Sequence, residues 1–205
     1  MKMYGKIGRI TSASSGSNPL RTNNLGGLIV EGDYGDATLG GKQFFATALD
    51  MEVALYTATS AIGLIIYNPP GSGVNCLFNK WSVIVYATSA AMTGVVLAIS
   101  AQTTTPTTTT AAPLWGSTLL TGSVGLTGGA ALAYSVATIA VAPVLAWPLF
   151  HNTAAINTVG AEVTSGDLQG AIAAAPGTVT VMGALGAAGV NVNLALMWKE
   201  VPVGL

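Results

Sequence analysis

Charge is what this sequence has least of. Only 7% of its 205 residues are Asp, Glu, Lys or Arg, where about 25% is usual in a globular chain. A compact monomer of 20.5 kDa exposes roughly 8,900 Å². Seven basic and eight acidic residues spread over that area leave about one charge per 600 Å², far sparser than a soluble surface carries. The shortage argues against a free monomer and predicts an obligate oligomer whose neighbours cover much of the surface. It also argues against nucleic acid as a partner. The net charge is −1, and the basic residues Lys2, Lys6, Arg9, Arg21, Lys42, Lys80 and Lys199 are scattered, whereas phosphate tracking needs them clustered.

Catalytic side chains are equally scarce. The chain has one cysteine and one histidine. Cys76 forms no intrachain disulfide and reads as a small buried hydrophobe. His151 stands in Pro148-Leu-Phe-His-Asn-Thr153 with no motif around it, and a triad needs two further groups brought to it. A structural zinc site needs several such ligands at set spacings. Glu31, Asp33 and Asp36 form the densest acidic patch, but Lys42 stands where a calcium loop of the EF-hand type requires its final Glu, so the patch reads as a solvated or arm-docking loop. Asp50 and Glu52, two apart on a strand, have the spacing of a glycosidase pair, without carbohydrate-binding aromatics beside them. The expectation is no catalytic residue, no metal and no cofactor: the protein is not an enzyme.

Long uninterrupted Leu/Ile/Val blocks are missing too, although the mean hydropathy is +0.60 and residues 81–161 contain no Asp, Glu, Lys or Arg. Residues 130–150 come nearest to a spanning helix. Pro143 and Pro148 interrupt that stretch, and no Lys or Arg flanks it to set an orientation. Residues 1–20 hold no apolar core of a signal peptide. The expectation is no membrane partner, and a charge-free span made of strands buried on one face and covered by a partner on the other.

What is present is β grammar behind a polar arm. Residues 1–43 form an extended N-terminal arm rich in Gly, Ser, Asn and Thr, as in Thr11-Ser-Ala-Ser-Ser-Gly-Ser-Asn-Pro19. Such a segment cannot bury enough apolar area to fold alone, and gains order by packing on other subunits or back across its own domain. Residues 44–205 form the β-sandwich domain. Asp50 to Tyr56 alternates, with Met51, Val53 and Leu55 on one face. Ile62 to Tyr67 is a β-branched run ended by the turn Asn68-Pro-Pro-Gly-Ser-Gly73. Cys76 to Tyr86, Val95 to Ser100, Val136 to Val141 and Val179 to Met182 read as further strands. The Thr-rich stretch 102–113 reads as a rim loop, and Ala171 to Ala175 as at most one helical turn before Pro176-Gly177. The clearest period-2 segment is the last: Val190, Val192, Leu194, Leu196 and Trp198 make its core face, with Asn191, Asn193, Ala195 and Met197 opposite. About eight strands without βα alternation predict an all-β, two-sheet antiparallel sandwich.

Two passages carry a resemblance. Ile62-Gly-Leu-Ile-Ile-Tyr-Asn-Pro-Pro-Gly-Ser-Gly-Val-Asn-Cys-Leu-Phe-Asn-Lys-Trp-Ser-Val83 resembles the strand, Asn-Pro-x-Gly-Ser-Gly, strand hairpin of tailed-phage jelly-roll virion proteins. Residues 190–203, with Leu196-Met-Trp-Lys-Glu-Val-Pro202, resemble their closing strand, which ends in Trp followed by an acidic residue and Pro. The long uncharged middle with its Thr-rich loop departs from that pattern. The resemblance implies a jelly-roll (TNF-like) sandwich that forms a homotrimer, a capsid decoration or cement protein of the bacteriophage virion, assembled in the host cytoplasm. Its partners would be itself and the major capsid protein or other virion proteins. The arm residues Lys2, Lys6, Arg9 and Arg21 would dock on the capsid surface. A tail-fibre or receptor-binding module of the same fold, and a major jelly-roll shell subunit, are the alternatives.

Overall fold

The computed structural model describes residues 42–88, 92–112, 114–116, 129–156, 162–186 and 190–203; the proposed arm, including Lys2, Lys6, Arg9, Arg21 and the Glu31/Asp33/Asp36 patch, lies outside the described residues. Among them there is no helix. The strands are β1 (Gln43–Val53), β2 (Ser60–Asn68), β3 (Val74–Thr88), β4 (Met92–Ala101), β5 (Thr107–Ala111), β6 (Leu114–Gly116), β7 (Leu132–Thr138), β8 (Val144–Ile156), β9 (Glu162–Ala174), β10 (Thr178–Leu185) and β11 (Val190–Pro202). They build a five-stranded sheet in the order β6-β1-β11-β3-β9 and a six-stranded sheet in the order β5-β7-β2-β10-β4-β8, with every ladder antiparallel.

Set aside β5, β6 and β7, which are inserted between β4 and β8, and the pairing follows one rule. The first strand pairs with the last, β1 with β11; then β2 with β10, β3 with β9, and β4 with β8. Successive pairs go to opposite sheets, so a folded ribbon is rolled into two layers, one completed by the β11–β3 ladder and the other by the β10–β4 ladder. That is the order of a jelly roll.

Period-2 alternation places the core. From the five-stranded sheet Phe44, Ala46, Ala48, Phe78, Val83, Val85, Val192, Leu194, Leu196 and Trp198 point inward, to meet Leu64, Ile66, Val95, Leu97, Met182 and Ala184 from the other. The opposite face of β2 and β10 is buried as well: Ile65, Tyr67, Val179 and Val181 form a second cluster with Ala61, Ala137 and Ile139. Two connections account for its burial. Residues 102–106 link β4 to β5 and residues 139–143 link β7 to β8, and each pair of strands lies on opposite sides of β2 and β10. Ile139 belongs to that second cluster, and Pro106 and Pro143 are buried. Gln102 ties the two connections together. Its Oε1 accepts from the Ala140 and Val141 amides (2.9 and 3.2 Å), and its Nε2 donates to the Val141 carbonyl (3.0 Å).

Several local expectations need correction. The passage 62–83 is no hairpin, because β2 and β3 belong to different sheets. Its turn carries the chain from one layer to the other. Ser72 N–H donates to Pro69 O (3.2 Å), and Gly71 and Gly73 have φ of 76° and 73°, so Pro70 and Gly71 occupy the two central positions that suit them in such a turn. The Asn68 side chain clamps the crossing by donating to Val74 O (2.8 Å) and Ala174 O (3.0 Å). The Thr-rich stretch is partly strand: β5 is exposed throughout and pairs with β7 at the sheet margin, a place where β-branched Thr needs no apolar cover. Ala171 to Ala174 ends β9 instead of starting a helix, with Ile172 and Ala174 buried. A register shift between Ala48 and Met51, where Asp50 takes φ 53°, re-aims β1. Met51 and Val53 then face the core, but Leu55 lies beyond the strand and is 37% exposed.

Candidate interaction surface

The residues singled out for chemistry are separated in the fold. Cys76 on β3 is fully buried, and its thiol is pushed up to about 12, first by burial and then by the neighbouring Glu200 carboxylate; such a thiol is a packing group rather than a nucleophile. His151 stands exposed on β8, opposite Gly94. Asp50 and Glu52 are exposed on β1, and Asp50 is engaged with asparagines of β11: its amide donates to Asn193 Oδ1 (2.8 Å), and Asn191 Nδ2 donates to its Oδ1 (3.4 Å). On the closing strand Val192, Leu194, Leu196 and Trp198 are at most 1% exposed. Val190 pairs with Val53 and Thr88 in the ladders.

Glu200 follows them as a buried carboxylate with a structural task. It accepts from the main-chain amides of Ala130 (2.9 Å) and Ala131 (3.0 Å), just before β7, and the Trp198 indole N–H lies 3.5 Å away. A carboxylate that receives backbone N–H groups makes strong charge-assisted bonds. The segment entering β7 is therefore pinned to the end of β11.

The feature without an internal explanation is the outer margin of the six-stranded sheet. From Ala140 to Phe150 the one polar side-chain group is the Trp147 indole N–H, and no side chain is charged. β8 is the edge strand, bonded on one side to β4 with repeated register shifts. Residues 144–148 are exposed on both faces of the strand, Val144 at 68%, Leu145 at 48% and Trp147 at 46%, and Val141 in the connection before them is 40% exposed. A charge-free, exposed apolar edge is a site for association. In the sequence this stretch is visible only as a charge-free span. Which of its residues face outward depends on the shifted β4–β8 register, which no simple period reveals. Among the described residues no helix is long and apolar enough to cross a membrane.

A second apolar feature lies on the outer face of the five-stranded sheet. A shallow cleft of about 260 Å³ runs across β1, β11 and β3, lined on the outer face by Phe45, Lys80, Ser82, Ala195 and Met197, with the core residues Trp81 and Leu196 at its floor. Phe45 (36% exposed) and Leu49 (63%) stand on β1 beside it. Trp81 turns the other way, into the core, where β9 offers Gly166 against its ring; a Cβ there would meet the indole nitrogen at 2.7 Å. No protein-family model, curated protein or solved structure matches the chain.

Proposed function

We propose that the protein is a non-enzymatic structural component of a tailed-phage virion, a trimeric capsid decoration or cement protein that docks on the shell and stabilises it. The observation that carries this reading is the charge-free run from Ala140 to Phe150, whose residues 144–148 are exposed along the β8 edge of a chain with only 7% charged residues. A surface of that kind is tolerable when a neighbouring subunit covers it. The jelly-roll order agrees with the reading, and residues 190–203 resemble the closing strand of phage virion proteins, whereas residues 62–83 share their turn sequence but not the hairpin. The buried, high-pKa Cys76 thiol and the isolated exposed His151 suit a protein whose work is mechanical.

The mechanism has two parts. Subunits associate through apolar sheet surfaces into a rigid knob. The polar arm, with Lys2, Lys6, Arg9 and Arg21, runs over the shell and ties capsomers together through main-chain pairing, its exposed ion pairs adding little each. The test is made on particles. Full-length protein should saturate capsids lacking it and raise the temperature at which they release DNA, whereas protein lacking residues 1–25 should stay trimeric and fail to bind. Particles equally stable with and without the protein would overturn the cement role.

A further inference from the structure

We draw no further inference here: the strongest candidate, the exposed apolar stretch of residues 144–148 on the β8 edge strand, belongs to the association surface already described, and nothing in the structure shows what covers it.

Discussion

Phe44 and Trp198 stack across the β1–β11 ladder, with ring centroids 6.0 Å apart and planes inclined by 29°. They belong to the first and last strands of the sandwich, and both are buried at 3% exposure or less. The sandwich is thus closed by a contact between its two ends, the most distant pairing in the rolled ribbon. Such closure costs chain entropy before any contact repays it, which is why this stack is made of two of the largest side chains available. β11 is the strand on which the layer depends, since it bonds β1 on one side and β3 on the other.

That position makes β11 the sharpest test of facing. Leu194 is 1% exposed between Ala48 and Val83. Leu194→Asp should abolish folding, because an unpaired buried carboxylate costs several kcal/mol, on the order of 3–5. Asn193→Asp faces outward. It keeps an acceptor for the Asp50 amide but sets a second carboxylate near Asp50, so a loss of about 1 kcal/mol or less is expected. Chemical denaturation of both variants checks this, and equal tolerance would reverse the assignment of faces.

How far the fold could be read in advance differs strand by strand, for physical reasons. β11 announces itself, because one of its faces is core along its length and the alternation is uninterrupted through Leu194, Leu196 and Trp198. β10 reads as a plain apolar run because both its faces are buried, one in the main core and one beneath residues 139–143. The turn 68–73 is legible as a turn, but nothing in Pro69-Pro70-Gly71 says whether the next strand returns to the same sheet or crosses to the other. β5 was hidden because an edge strand of threonines has no buried face to imprint a pattern. The β8 surface was legible as an absence of charge and no further: exposure is a property of what the fold leaves uncovered, and Val144 and Trp147 are as apolar as any core residue.

Gln102 is the next test, because one side chain holds the connection between β7 and β8 against the sheet. Gln102→Ala removes its three bonds to Ala140 and Val141. Each is worth about 0.5–1.5 kcal/mol net at best, and less at this exposure. The expected result is local: global unfolding shifts by about 1 kcal/mol, while amide exchange at Ala140 and Val141 accelerates by about tenfold or more. Gln102→Glu keeps the acceptor and loses the donor to Val141 O, so it should fall between the two.

The Glu200 clamp has a steric counterpart. A Cβ at Gly129 would stand 2.8 Å from Glu200 Oε1 and 3.0 Å from the Phe44 ring. Gly129→Ala must therefore displace either the carboxylate or the closing stack, and should cost about 1–3 kcal/mol. Glu200→Gln preserves the shape but offers an NH₂ group to one of two backbone donors, a loss of about 1.5–3 kcal/mol. If the two act on one arrangement, the double variant should lose clearly less than the sum, as read from denaturation midpoints.

Cys76 supplies the pH-dependent prediction. In the native state the thiol holds its proton up to about 12, against 9.0 for the ordinary group. Between those values the folded chain binds the proton that the unfolded chain has released, so unfolding is favoured as pH rises. The group's contribution to stability is whole below pH 9 and is lost progressively as pH climbs toward 12. Cys76→Ala removes that dependence. Relative to wild type it should be destabilised at pH 7 by the lost packing, about 1 kcal/mol, and the gap should narrow above pH 9 and change sign before pH 11, since the wild type loses about 1.4 kcal/mol per pH unit there. The same burial makes the native thiol unreactive: a maleimide at pH 7.5 should label the folded protein negligibly and the denatured protein stoichiometrically. Rapid labelling of the native state would place Cys76 at the surface and move β3 with it, since Cys76 faces Ala174 of β9 and Glu200 of β11 in the same ladders.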